Sequence, residues 1–142
     1  MNQSQPYKNH PIFKILSKIL ENIEAGIQHA FEKLQLGPAT IALRYSANRI
    51  VHLTGFIVEE NKRNQGHGKK LLQILTKWAD ENNIFLRLFA SSTDSKLNIA
   101  DLVTIYKKHG FKQIEQKIVN LYSDMVPMVR EPLSRKLCKN TI

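Results

Sequence analysis

The stretch EENKRNQGHGKKLL, residues 59–72, concentrates positive charge and glycine between two apolar runs. Gly66 and Gly68 remove side chains where a strand turns into a helix, and the free N–H groups of a helix start attract phosphate oxygens. The surrounding cations are Lys62, Arg63, Lys69 and Lys70. This corner therefore predicts a polyphosphate site, with a solvated basic turn as the alternative.

Other phosphate loops fit this corner less well. A Walker loop needs a glycine where Arg63 stands and a serine or threonine where Lys70 stands. A Rossmann fingerprint needs a third glycine, and Leu71 occupies that place. The chain also lacks a Gly-x-Ser-x-Gly elbow, a His-Glu-x-x-His pair and a Cys-x-x-Cys pair. Hydrolase and zinc interpretations are without support, and no metal site is predicted.

Composition limits the class of protein and of partner. The 142 residues suit one domain, and the net charge of +9 favours an anionic partner such as nucleic acid, a phosphorylated cofactor or an acidic membrane surface. A single cysteine, Cys138, fits a reducing compartment. No secretory signal or membrane-spanning run is visible, so we expect a cytoplasmic protein that does not bind membranes.

The hydrophobic periodicity predicts which elements position the basic corner. Residues 1–10 are polar and expected to be flexible. An amphipathic helix is predicted from Pro11 to Leu36, where Gly37-Pro38 stops it, with a division into two helices at Gly26 as the alternative. The later predictions are strands at Ala39–Ser46 and Arg49–Val58, a helix at Gly68–Asn82, a strand at Ile84–Ala90, a helix ended by Gly110, and strands at Phe111–Tyr122 and Met125–Val129. This order predicts an α/β sheet of mixed direction with parallel strands near its middle.

Three motifs carry a resemblance to a known family. RNQGHG resembles the Arg/Gln-x-x-Gly-x-Gly/Ala pyrophosphate loop of the GNAT superfamily of acyl-CoA N-acyltransferases. IYKKHGF resembles its aromatic-Tyr-x-x-x-Gly-Phe segment, and MVPMVREP resembles a closing strand of small members. The resemblance implies a GNAT domain over 11–132, followed by a basic tail over 133–142. It also implies a mostly antiparallel, twisted sheet with a splayed central parallel strand pair, flanked by helices.

The same resemblance implies a place for acetyl-CoA. The strands Ile50–Val58 and Ile84–Ala90 would splay apart and hold the pantetheine arm, with backbone groups near Phe56 and Val58 pairing with its amides. The implied pyrophosphate ligands are the backbone amides of Asn64, Gln65, Gly66, His67, Gly68 and Lys69, assisted by the Arg63 guanidinium.

The implied reaction is direct attack of a primary amine on the acetyl thioester. Tyr106 matches the family tyrosine that donates a proton to the departing sulfur, and a phenolic hydroxyl suits that task. The alternative is a tyrosine that only packs on the core.

The base is less well defined than the acid. His52 lies eleven residues before Arg63, the same offset as a base histidine of the family's arylalkylamine acetyltransferases. A histidine can accept an ammonium proton near neutral pH. Its rivals are Glu59, Glu60 or a water, which would leave His52 an ordinary strand residue.

Two other functions stay open beside the enzyme. One is a catalytically silent CoA-binding or regulatory domain of the same fold, and the other is a basic nucleic-acid binder. The sequence shows no aromatic–basic interleaving typical of a base-stacking platform, so nucleic acid is not the expected partner. The sequence does not name the amine acceptor, and a homodimer is one assembly it leaves open.

Overall fold

The computed structural model describes residues 10–58, 66–91, 99–114 and 125–133, with the backbone alone for Val58 and Ser91. The helices are α1 (Pro11–Glu24), α2 (His67–Glu81) and α3 (Ile99–Lys108). The strands are β1 (Ala30–Leu36), β2 (Ala39–Tyr45), β3 (Ile50–Val58), β4 (Phe85–Ser91), β5 (Lys112–Gln113) and β6 (Met125–Arg130). None of the helices in these ranges is long and apolar enough to span a membrane.

The predicted helix from Pro11 to Leu36 is wrong in its second half. The helix ends at Glu24, Gly26 adopts a positive φ of 85°, and the chain then forms β1. Along β1 the side chains alternate, with Leu34 and Leu36 buried and the odd-numbered positions exposed. The apolar residues of this segment fit the spacing of three to four typical of a helix as well as the spacing of two typical of a strand. Antiparallel pairing with β2 stabilises the strand.

The sheet confirms the predicted mixed, mostly antiparallel architecture. Its order is β1-β2-β3-β4-β6-β5, and β3 and β4 are its parallel pair. The other neighbouring strands run antiparallel. β5 is described over two residues only, and most of the remaining predicted strand up to Tyr122 lies outside the described residues.

The helices of the described part all pack on one face of the sheet. This helix face carries the buried side chains of the strands: Leu34, Leu36, Ile41, Leu43, Val51, Leu53, Leu86, Leu88 and Met128. Lys18 of α1 pairs with Glu32 of β1, and Asp80 of α2 pairs with Arg130 of β6. Glu32 and Arg130 both stand opposite helix-face residues in the strand register, at Leu43 and Leu86. The opposite face of the sheet is therefore left without a helix from this part of the chain.

Candidate functional site

A notch opens where the two parallel strands separate. Ile50–Leu53 pairs with Phe85–Leu88, but beyond these four positions β3 follows β2 and β4 follows β6. We call the gap between 55–58 and 89–91 the notch. A register shift between the β2 and β3 ladders leaves Thr54 as an extra residue at the point where the strands part. Along the notch, the edges of both strands carry backbone groups that lack a strand partner across it.

The start of α2 follows the notch end of β3 along the chain. Gly66 is its N-cap, with a φ of 85°, no side-chain cap hydrogen bond and no acidic residue in the first turn. A Cβ placed on Gly66 would meet nothing within 4 Å. The first intrahelical hydrogen bond runs from Lys70 N to Gly66 O at 3.0 Å. The N–H groups of His67, Gly68 and Lys69 therefore lack intrahelical acceptors, and this positively polarised end fits a phosphate group.

His67 contributes differently from its loop neighbours. A Cβ on Gly37, in the turn between β1 and β2, would lie 2.9 Å from His67 Cδ2, so the imidazole packs against that turn. Its Nδ1 is buried, and the described residues offer it no hydrogen-bond partner. The part of His67 suited to a phosphate is thus its backbone N–H.

Tyr106 lies beside the notch on the helix face. Its side chain is 7% exposed, and its ring centroid lies 6.5 Å from that of Phe56 on β3 and 5.6 Å from that of Phe111. Phe111 N donates to Tyr106 O at 3.2 Å across Gly110, whose φ is 94°. This helix-ending turn accounts for the spacing of IYKKHGF, because it folds Phe111 back onto the tyrosine.

An ion-pair network fixes the helices around this tyrosine. Arg130 donates to both carboxylate oxygens of Asp80 at 2.7 and 2.9 Å, and its Nε donates to His109 O at 2.7 Å. Leu133 N also donates to Asp80 at 2.7 Å. The network ties β6 to α2, to the end of α3 and to the chain beyond β6. It gives the positive charge of Arg130 a structural use that the sequence does not reveal.

His52 lies on the face of the sheet opposite to Tyr106. It pairs in register with Arg44 of β2 and Arg87 of β4, while its neighbours Val51 and Leu53 point to the helix face. Burial lowers the pKa of His52, and the charges of Arg44 and Arg87 lower it further. The imidazole is therefore neutral at pH 7. The structure does not bring His52 and Tyr106 together on one face of the sheet.

Part of the sequence prediction falls outside the described residues. Arg63, Asn64 and Gln65 of the expected pyrophosphate loop are among them, as are the rival bases Glu59 and Glu60. Their roles stay predictions.

Two features of the site were not predicted from the sequence. The ring cluster of Phe56 and Phe111 around Tyr106 depends on a helix end meeting a distant strand. The bulge at Thr54 had a visible signal, because the glycine Gly55 stands in the interior of a predicted strand.

Comparison with known proteins agrees with this geometry. The family model described as Acetyltransferase (GNAT) domain matches residues 23–132. No curated protein matches the chain. Among solved structures, the anti-CRISPR protein AcrVA5 aligns with a TM-score of 0.55 at 20% identity, covering 70% of this chain and 97% of that one. A GNAT-family acetyltransferase from Staphylococcus aureus Mu50 aligns with a TM-score of 0.52 at 22% identity, covering 89% and 86%.

Tetrahymena GCN5 aligns over 92% of both chains, with a TM-score of 0.50 at 16% identity. At these identities the solved structures support the fold, and the match over residues 23–132 supports the family. The split at the parallel strand pair is the arrangement that the sequence resemblance implied. The chain therefore belongs to the GNAT family, whose members transfer acyl groups from coenzyme A.

Proposed function

We propose that this protein transfers acetyl from acetyl-CoA to a primary amine by direct attack of the amine on the thioester. The observation that carries the proposal is the notch, which has Tyr106 packed beside it and the bare start of α2 following β3. The single cysteine and the basic composition are consistent with work on a phosphorylated cofactor in the cytoplasm.

The residues present fit the cofactor at two points. The edge of β3 near Phe56 and Val58, which no described strand pairs with on the β4 side, suits the amides of a pantetheine arm, because it offers the hydrogen bonds that a neighbouring strand would make. The N–H groups of His67, Gly68 and Lys69 suit the pyrophosphate. When bound, acetyl-CoA supplies an acetyl group activated as a thioester.

Tyr106 is proposed as the acid of the reaction. The amine forms the new C–N bond as the C–S bond breaks, and the Tyr106 hydroxyl gives its proton to the departing thiolate. The rings of Phe56 and Phe111 hold the tyrosine in place and keep water away from it. A backbone N–H at the splayed edge of β3 would polarise the thioester carbonyl.

His52 is proposed as the base. Its surroundings favour the acceptance of a proton but not the approach of a positively charged amine. Its lowered pKa keeps the imidazole neutral and able to accept a proton at pH 7. The flanking arginines, Arg44 and Arg87, oppose the approach of a protonated amine to the same place. Glu59, Glu60 or a water would take the proton if His52 does not.

Gly68→Glu should abolish CoA binding without unfolding the protein. A carboxylate in the first turn of α2 stabilises the helix dipole, yet it occupies and repels the place of a phosphate. Gly68→Gln has nearly the same size without the charge, so it should bind CoA more tightly than Gly68→Glu. Isothermal calorimetry with free CoA and a thermal melt of each variant measure the two effects. Normal CoA binding by a folded Gly68→Glu protein would place the phosphate elsewhere.

His52→Ala should reduce turnover most below neutral pH and recover partly as the pH rises. At low pH the acceptor amine is almost wholly protonated and needs a base, whereas at high pH free amine becomes available.

Arg87→Gln should raise the pKa of His52 and move the acid limb of the kcat/KM profile to higher pH, because it removes a positive charge that lowers this pKa. An unchanged profile in His52→Ala would assign the base to Glu59, Glu60 or water.

One acceptor panel tests the proposed activity. Acetyl-CoA is offered with a small-molecule amine, a polyamine, a peptide with a free terminus, a lysine peptide and an aminoacyl-tRNA, and thiol release is followed. Acetylation of at least one amine supports the proposal. Tight CoA binding without transfer to any of them would favour a silent CoA-binding domain.

A further inference from the structure

The sheet face that no described helix covers carries aromatic and basic side chains. We call it the open face and define it by Phe31, Arg44, His52, Phe85, Arg87 and Phe89. Phe31 is 60% exposed and Phe89 is 54% exposed, while most large apolar side chains of the strands are buried on the helix face. Arg44 and Arg87 are exposed as well. Phe31 and Phe89 lie three strands apart, so the face is a candidate binding surface through its combination of rings and cations rather than through one apolar patch.

The charge of the open face has one sign. Arg44, His52 and Arg87 are direct register partners, so they form a row across three adjacent strands. The strand spacing places the two arginine Cα atoms roughly 10 Å apart. Among the described strand residues the one acidic side chain is Glu32, which lies on the helix face and pairs with Lys18. No carboxylate on the described strands therefore neutralises the row, and the face is complementary to an anion.

Rings flank this row on both sides. Phe31 is the register partner of Arg44 at one end. Phe85 and Phe89 stand on either side of Arg87 along β4, because alternate residues of a strand share a face. The sequence FLRLF therefore presents ring, guanidinium and ring on one surface. Aromatic–basic interleaving, which was not predicted from the sequence, is thus present within FLRLF itself, and strand pairing extends it to Arg44 and Phe31.

We propose that the open face binds single-stranded nucleic acid, with phosphates along the Arg44–His52–Arg87 row and bases stacked on the exposed phenylalanines. Base stacking on aromatic rings and an electropositive surface are the two components of such platforms, and a sheet face that no described helix covers supplies a plane for both. The face is opposite to Tyr106 and to the α2 side of the sheet, so nucleic acid bound there would leave the proposed CoA site uncovered, but it would cover His52, the proposed base.

A second copy of the chain suits this face less well. A symmetric dimer through the open face would place the arginines of two copies against each other. This repulsion costs free energy, and no carboxylate of the described strands would offset it. An anionic membrane would satisfy the charge, but it would use the phenylalanines as apolar anchors rather than as flat rings. Replacing a phenylalanine by an aliphatic side chain should therefore weaken the binding of nucleic acid more than the binding of an anionic membrane.

The test measures fluorescence anisotropy with a labelled oligothymidylate of about 20 nucleotides, longer than the ~4–16 nucleotides that one platform covers. We expect the single strand to bind more tightly than a duplex of the same length, with affinity falling as salt rises. Phe89→Ala should weaken binding by about 5- to 150-fold, the range of one lost stacked base. Phe89→Tyr should retain binding, and Phe89→Leu should not, because leucine keeps the apolar surface but not the ring.

Matched controls lie on the helix side of the molecule. Arg87→Glu should weaken binding and flatten its salt dependence, whereas Lys77→Glu on the exposed side of α2 makes the same charge change and should do much less. Phe13→Ala, 37% exposed on α1, is the control for Phe89→Ala. Saturating CoA should not displace the oligonucleotide.

Four outcomes would overturn the proposal. They are equal binding of duplex and single strand, wild-type affinity in Phe89→Leu, capture by phosphatidylglycerol vesicles without oligonucleotide binding, and a sedimenting dimer that Phe89→Ala dissolves.

Discussion

Tyr106→Phe should lower kcat by about 10²–10⁴-fold, the usual scale for the loss of a positioned acid or base. The substitution deletes one hydroxyl and keeps the ring between Phe56 and Phe111, where it is 7% exposed. Because the hydroxyl acts on the leaving thiolate and not on the pyrophosphate, the affinity for CoA should stay near wild type. Steady-state kinetics on an acceptor from the panel and calorimetry with CoA measure the two quantities.

Tyr45→Phe is the matched control for this substitution. Tyr45 is buried on the helix face, and its hydroxyl accepts a hydrogen bond from Asn22 Nδ2 at 2.9 Å. Removing that hydroxyl should cost about 1 kcal/mol of unfolding free energy and leave kcat nearly unchanged. If Tyr106→Phe turns over normally, or if Tyr45→Phe loses as much activity, the proton donor is water or another group.

Arg130→Met should lower the free energy of unfolding by roughly 2–4 kcal/mol, somewhat below the range for breaking a fully buried ion pair. The side chain of Arg130 is 12% exposed and that of Asp80 is 21% exposed, so solvent compensates only partly for the lost partner. Methionine keeps most of the volume, so the loss reports the hydrogen bonds to Asp80 and His109 O. Urea unfolding followed by circular dichroism measures it.

The pair of Arg49 and Glu24 provides the exposed comparison. Their side chains are 35% and 57% exposed at an N–O distance of 3.1 Å. Glu24→Gln should therefore change stability by about 0.5 kcal/mol or less. A similarly small effect of Arg130→Met would show that Asp80 is solvated well enough without its partner and that α2, α3 and β6 are held by packing alone.

Local sequence signals were sufficient to predict the secondary structure in the middle of the chain. From β2 to α3 each element has its own periodicity and its own punctuation, such as Gly66 before α2 and Gly110 after α3. The β1 segment has no such local signal, because the spacing of its apolar residues suits a helix and a strand equally. What decided it was pairing with β2, which is a property of two segments together.

The candidate site was predictable to a similar extent. The glycines of the α2 start and the tyrosine motif were visible, since each has its own local conformation. The Arg130–Asp80 pair joins residues fifty positions apart, and no spacing rule relates them. Whether His52 shares a face with Tyr106 depends on strand register and on the bulge at Thr54, and one residue of slip reverses the answer. The row of Arg44, His52 and Arg87 on the open face follows from the same register.

The short parallel ladder also divides the sheet for folding. β1, β2 and β3 form a meander within residues 30–58, so their contacts have small sequence separation and need little loop closure. β3 and β4 meet across the whole of α2 for only four paired positions. Compared with the pairings within the meander, the β3–β4 pairing closes a longer loop and gains fewer backbone hydrogen bonds. We therefore expect the β3–β4 pairing to form late in folding and to open first. A molecule lying along the notch would bridge that joint and couple the two halves of the sheet into one cooperative unit.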